Sequence, residues 1–365
     1  MSDNRRRYRT VRKELKKLYP FEPQGNLARH LNTLAGLISG IVGSNSSQLP
    51  KIAKKVPDST KKESRVKRFS RWTNNEGIEF KSYYLPYVKA LLVGLAHRPL
   101  LLAIDGSDMG RGCVTLMVSV IYKKRALPIA WIVVQGSKGH FPEEAHVCLV
   151  QQVHKIVPEG CDIIFLGDGE FDGTTLQATI AGYGWEYVCR TAKNAQIYED
   201  GHCFSFDEID IQPGHCIALP DVNITHQVYG PVLAVAWWQI DYEDPIYLVT
   251  NIELAAEACY WYAKRFRIET FFSDQKSRGF NMQKSHISDP DRLSRLMIAA
   301  CLAYIWIIYL GVVAIRDDLV KIIHRTDRCD LSLFQLGLEL LEHFLNEDLA
   351  IPVALQMPIL QESVR

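Results

Sequence analysis

Apolar positions in the first 75 residues follow a helical rhythm. In residues 26–42, Leu27, Leu31, Leu34, Leu37 and Ile38 recur at intervals of mostly three and four, which predicts a helix with one buried face. Residues 5–18 and 61–72 predict two strongly basic helices. Between them, residues 44–56 predict a short helix with Ser46 or Ser47 as its cap. Near residue 99 the period changes. Residues 99–105 form a short apolar run that predicts a buried strand ending on Asp105, and 114–122 and 126–134 predict two more in hairpin succession. Helical spacing returns at 143–157, a strand ending on Asp168 follows at 161–168, then a helix at 174–184 closed by Gly182 and Gly184, then a strand at 185–190.

Residues 195–250 break this rhythm with short alternating runs, the clearest being two strands around the Asp-Tyr-Glu-Asp-Pro turn at 241–245. A helical stretch follows at 260–280. The run at 296–315 holds 20 residues without a charge, behind Pro290 with Ser288 or Asp289 as cap. By length that run fits a bilayer, but a lone span between charged flanks reads better as a helix buried in a large core, and no membrane is expected.

The predicted elements amount to an α/β chain: a mixed sheet flanked by helices, a β-rich insertion, and an N-terminal helical module. The expected divisions are 1–75 for the basic module, 76–194 with 251–320 for the core, 195–250 for the insertion and 321–365 for a C-terminal helical tail. Composition changes the picture only once it is divided along the chain. Net charge is +1, yet residues 1–75 carry 18 Lys+Arg against 5 Asp+Glu, a net of +13, and the remainder a net of −12. A basic module attached to an acidic body points to a polyanionic partner. The nine cysteines never form a CxxC pair, which favours reduced, packing cysteines over a zinc site or disulfide framework. The basic start has no apolar stretch behind it and does not read as a secretory signal.

Candidate chemistry gathers at strand ends. Asp105 in "AIDGSD" and Asp168 in "FLGDGEFDG" each precede a glycine that leaves room for a metal or phosphate. Taken singly, each aspartate is an ordinary turn residue. If their strands are neighbours the two meet, and Glu269 from the later helical stretch completes an acidic cluster. Three such carboxylates repel one another unless cations compensate, and an all-oxygen site suits Mg2+, or Mn2+ in its place. Tyr262, Arg265, Glu269 and Lys276 stand at offsets 0, 3, 7 and 14. At about 100° per residue they share a stripe roughly 60° wide on a continuous helix. Asp172 reads as a helix cap rather than a fourth ligand.

With these motifs the sequence resembles the DDE transposases of bacterial insertion sequences, in the subgroup marked by Tyr-x2-Arg-x3-Glu-x6-Lys. The resemblance runs from about residue 100 to 310, through "LLAIDGSD", "IIFLGDGEFDG", "YVCRTAKN" and "LVTN", to the Tyr262–Arg265–Glu269–Lys276 set and "KSRGFNMQKSHI". It implies a ribonuclease-H-like core with an insertion before the last acidic residue; the separation of 101 positions from Asp168 to Glu269 agrees with one. It also implies Asp105, Asp168 and Glu269 as catalytic metal ligands, with Tyr262, Arg265 and Lys276 on DNA near the scissile phosphate. Arg offers a planar fork, Lys a mobile charge and Tyr a hydroxyl on a stackable ring.

By the same resemblance Arg190 and Lys193 would hold DNA phosphates, though solvated cations are as ordinary there. Trp238 or its neighbour Trp237 would stack a flipped base, though a core tryptophan is the plainer reading. The implied activity is cleavage at the inverted ends of an element and transfer of the 3′-hydroxyl to target DNA, by a homodimer on double-stranded DNA in the bacterial cytoplasm, at the nucleoid. A ribonuclease-H-like nuclease would lack the Tyr-Arg-Glu-Lys set and the long insertion. A catalytically inactive DNA-binding descendant would have lost a carboxylate, and all three are present.

Overall fold

The computed structural model describes residues 2–19, 21–136, 141–325 and 330–358. Cys329 and the last seven positions of the expected tail lie outside them. The basic module is helical: α1 (Asp3–Lys17), α2 (Gly25–Ser44), α3 (Leu49–Lys54) and α4 (Lys62–Asn74), followed by α5 (Phe80–Tyr83) and α6 (Leu85–Leu95). The stripe read from the sequence is the buried face of α2: Leu31, Leu34, Leu37 and Ile38 are inaccessible to solvent, and Leu27 packs at the margin. Neither Ser46 nor Ser47 caps α3. Gln48 is its N-cap and Ser46 Oγ instead accepts from the Gln48 amide at 3.2 Å, closing a turn ahead of the helix.

Three antiparallel strands follow, β1 (Leu100–Asp108), β2 (Cys113–Tyr122) and β3 (Arg125–Gln135). Then α7 (Glu143–His154) leads to β4 (Ile163–Gly167), and α8 (Thr174–Gly182) to β5 (Glu186–Arg190). Both β4 and β5 run parallel to β1, as helical crossovers require. The chain continues through β6 (Gln196–Glu199), β7 (His202–Ser205), β8 (Cys216–Ile224), β9 (Tyr229–Trp237) and β10 (Ile246–Thr250). Strand order is β3-β2-β1-β4-β5-β10-β9-β8-β6-β7. Its first five strands form the ribonuclease-H-like mixed sheet that the resemblance implies. Residues 195–250 extend that same sheet, because β10 pairs antiparallel with β5.

The remaining helices are α9 (Ala255–Tyr262), α10 (Arg267–Gln275), α11 (Pro290–Arg316), α12 (Val320–Ile323) and α13 (Leu333–Asn346). The long apolar run is α11, begun by Pro290 with Asp289 Oδ1 accepting from the Arg292 amide at 2.8 Å. By length and composition it is a helix that could cross a membrane, but 89% of its apolar window is buried among α2, α13 and β3. Its apolar surface is therefore already covered by protein. At the crossing with α13 the backbones nearly touch. A Cβ on Gly311 would stand 1.9 Å from the Leu333 carbonyl oxygen, and one on Gly337 1.9 Å from that of Ile307.

Cations of the N-terminal module divide into two kinds. Arg6 donates to the carbonyls of Leu345 (2.8 Å) and Phe344 (2.9 Å) in the last turn of α13, and Arg7 is buried against Gly43. Arg65 donates to the Val56 carbonyl at 2.9 Å. These fasten the module, while Arg12, Lys67 and Arg71 remain exposed. The cysteines divide similarly: Cys113, Cys189, Cys259 and Cys301 are buried, but Cys148, Cys203 and Cys216 are exposed, against the expectation of packing roles.

Gly337→Ala should destabilise the fold by about 3 kcal/mol, because a backbone oxygen cannot move aside as a side chain can. Gly94→Ala in α6, where an added Cβ meets nothing within 4 Å, should instead gain about 0.5 kcal/mol from helix propensity. Urea unfolding of both variants measures the contrast.

Candidate active site

Parallel pairing of β1 with β4 sets Ala103 opposite Leu166, so the residues just beyond, Asp105 and Asp168, emerge side by side. Asp105 lies within β1 rather than at its end, since the strand runs on to Asp108. Its Oδ1 accepts from the Gly106 amide at 2.7 Å. Asp168 follows β4 in a tight turn, with its Oδ1 accepting from the Glu170 amide at 3.0 Å and its carbonyl from that of Phe171 at 2.9 Å. Gly167 is required here, as a Cβ would strike Phe171 Cβ at 2.8 Å. Gly169 faces open space, whereas Gly106 faces the Phe141 ring at 3.5 Å; only one of the two glycines leaves the expected room.

The Tyr-Arg-Glu-Lys set is not carried by one continuous helix. α9 ends at Tyr262, residues 263–266 form turns, and α10 begins at Arg267. Amides of Arg265, Ile268 and Glu269 bond three residues back, to the carbonyls of Tyr262, Arg265 and Phe266. This tightened turn keeps Tyr262, Arg265 and Glu269 on the sheet side. Lys276 closes α10 in a non-helical conformation and its Nζ donates to Ser107 Oγ at 2.6 Å. Ser107 was missed in the sequence, although its spacing of two from Asp105 puts both on one face of β1.

Arg265 sits among the carboxylates, 8% exposed. Its Nη1 lies 3.7 Å from Asp168 Oδ2 and 4.0 Å from Asp105 Oδ2, and its Nη2 3.4 Å from Glu269 Oε1. The Arg265–Glu269 pair is thus one edge of a four-residue cluster. Buried Nη1 makes no hydrogen bond, resting between two carboxylates that are both slightly too distant. Burial, and then the charge of Asp168, push the Asp105 carboxyl up to about 6 against the pull of Arg265. Tyr262 is buried beside them, and burial raises its phenol despite the charges of Arg265 and Arg190.

A divalent cation suits this set by donor chemistry. The three acids present only oxygens, carry more negative charge than one guanidinium balances, and leave Asp105 short of compensation. Among the described residues no three acidic, His or Cys side chains already form a metal cluster; the Arg265 guanidinium lies 3.4–4.0 Å from each of the three acids.

Other predicted residues stand further out. Arg190 is exposed at the end of β5, near enough to Tyr262 to act on its phenol. Lys193 is exposed, its carbonyl accepting from the Asp207 amide at 2.9 Å. Trp238 lies just past the end of β9, half-buried, with Nε1 donating to the Tyr242 carbonyl at 2.9 Å. Trp237 is buried against Tyr242. Asp172 caps nothing: it accepts from Thr191 Oγ1 at 2.7 Å, while Glu143 from α7 takes the Leu176 amide in the first turn of α8 at 2.9 Å.

The raised Asp105 carboxyl has a consequence for stability. A folded value above the unfolded one favours the protonated form, so stability is full below about pH 4 and falls as pH rises to about 6. In chelator, Asp105→Asn should be more stable than the parent by about 2 kcal/mol at pH 7.5, with the difference closing near pH 4. Urea midpoints across pH measure it.

Comparison with known proteins adds a family. Residues 96–306, more than half of the chain, match the family described as Transposase DDE domain. Among solved structures, the chain is similar to the piggyBac transposase synaptic complex with hairpin DNA, at 11% identity and a TM-score of 0.46, covering 96% of this chain and 79% of that one. It is also similar to Aa-Ago with externally bound siRNA, at 14% identity and a TM-score of 0.26, over 55% of this chain and 28% of that one. No curated protein matches. With Asp105, Asp168 and Glu269 all inside the matched segment, the chain belongs to the Transposase DDE domain family.

Proposed function

We propose that the protein is a metal-dependent DNA transposase of a bacterial insertion sequence, cleaving the ends of its element and transferring the 3′-hydroxyl ends to target DNA. The observation that carries this is the convergence of Asp105, Asp168 and Glu269, from three separate elements, on one buried guanidinium in a chain of this family. Asp105, Asp168 and Glu269 would hold Mg2+, or Mn2+ in its place, which when bound supplies activation of water or a 3′-hydroxyl and stabilisation of the leaving oxygen.

The protein's own groups prepare the rest. Arg265 holds the acids together and lends its fork to a phosphate that displaces one of them. Lys276, donating to Ser107 Oγ, adds a positive charge to the face of β1 that carries Asp105. The buried Tyr262 backs Arg265, whose guanidinium lies over its ring at 5.9 Å. Arg190 and Lys193 at the β5 end, and Trp238 beyond β9, would extend the DNA contact outward, with Trp238 offering a ring face to a base.

In this reading residues 1–75 recognise the inverted repeats, residues 76–194 with 251–320 carry the chemistry, 195–250 widen the DNA surface and 321–365 brace the core. Two copies would hold two ends together at the bacterial nucleoid.

Purified protein with Mg2+ and a duplex carrying the element's ends should cut at the ends. Asp105→Ala and Glu269→Ala should lower cleavage at least ~1,000-fold while leaving DNA binding within a few-fold, as expected when groups acting only in the chemical step are removed. Cleavage that persists in either variant would sink the assignment. Without DNA, Mn2+ at about 100 times its Kd should stabilise the parent by ~2.7 kcal/mol and leave Glu269→Gln nearly unchanged. Thermal melting reads that difference.

A further inference from the structure

The helical module contains a recess of about 480 Å3 between α1, α2 and α4, well away in sequence from the acidic cluster. Its size lies within the roughly 300–1,000 Å3 usual for small-molecule sites. It is several times what a bare phosphate fills and far too narrow for a duplex.

The walls hold N–H donors in excess. Trp72, 3% exposed, and Arg68 line the recess; Trp72 Nε1 and Arg68 Nε are covered by protein and have no hydrogen-bond partner. An indole nitrogen can only donate, and so can a guanidinium. The acceptors nearby are already engaged. Asp58, the one carboxylate of the lining, takes Arg68 Nη1 at 2.5 Å and the Thr60 amide at 2.8 Å. Asn26 Oδ1 takes Arg29 Nη2 at 2.6 Å, and Asn32 Oδ1 takes Arg12 Nε at 2.5 Å. The acceptors of the lining are thus largely spoken for, while its cations stay available to an acceptor-rich group.

Charge and shape narrow its class. Arg29 and Arg71 are exposed and Arg68 half-buried in the lining, against the single paired Asp58. Further in are flat surfaces: Trp72, Tyr8 and His30, the last fixed by Tyr83 OH at 2.7 Å from Nδ1. Cations outside and rings inside suit a phosphate joined to a planar base.

We propose that this recess seats one unpaired nucleotide of a DNA strand, its phosphate among Arg29, Arg68 and Arg71 and its base against the aromatic interior. The proposal rests on the reading that the chain acts on DNA, and it adds a second nucleotide site outside the catalytic centre. A free nucleotide shares this chemistry, and inorganic phosphate shares only its anionic half.

The test uses the full chain and fluorescence anisotropy with a labelled duplex bearing a single-stranded overhang, at fixed salt. Arg29→Ala/Arg71→Ala removes two exposed rim charges, and Lys51→Ala/Lys67→Ala removes two exposed charges that do not line the recess. The rim pair should weaken overhang binding at least tenfold more than it weakens blunt duplex binding. The control pair should weaken both alike. Unlabelled dAMP should displace the overhang at concentrations where inorganic phosphate does not. Equal losses in the two pairs, or phosphate competing as well as dAMP, would overturn the nucleotide site and leave the transposase reading standing. If the parent binds neither DNA, both fall.

Discussion

Three carboxylates brought into one cleft repel one another, and the arrangement around them exists to keep them there. Asp105 and Asp168 are fixed by strand pairing and cannot retreat. Glu269 is fixed by α10, whose buried face of Ile268, Phe271 and Phe272 packs on the sheet. Arg265 is the cation held between them, and it is outnumbered. The imbalance shows in the Asp105 carboxyl, which burial and Asp168 raise to about 6. A site left with surplus negative charge draws in further cations, and that is how a carboxylate cluster acquires divalent metal.

The turn at 263–266 is the means by which this cluster forms. A continuous helix from 255 to 275 would keep one straight face, whereas the three-residue hydrogen bonds around Arg265 tighten the path. Arg265 is thereby driven inward between β1 and β4, while Phe266 on the same turn is left 65% exposed. Lys276, at the far end, leaves the helical conformation and reaches Ser107 on β1. The set read as one stripe is held at two points, with a break between them.

Stability and surface charge are shared unevenly along the chain. α11 supplies a buried spine against which α2, α13 and β3 all pack, and the paired glycines at its crossing with α13 bring backbones into direct contact. Arg6, Arg7 and Arg65 are engaged in internal contacts, so the module's exposed positive charge is smaller than a net of +13 suggests. Of the exposed cations that remain, Arg29 and Arg71 line the recess between α1, α2 and α4, and Lys51 and Lys67 lie outside its lining.

Local periodicity determined much of this molecule. Most helices and the core strands follow from spacing of apolar residues, and the acids at or near the ends of β1 and β4 were visible as Asp-Gly steps behind apolar runs. Asp289 and Gly184 were legible because caps depend on a few neighbouring residues. The role of Asp172 was not, since the group that serves the α8 amides comes from Glu143, 31 positions before Thr174. Nor could the sequence show that Arg265 lies on the acids, that Trp238 falls beyond its strand, or that residues 195–250 continue the central sheet. Each of these depends on which distant strands pair and how a helix bends against them. Spacing along the chain fixes which way a side chain points from its own element; only long-range packing fixes what it meets.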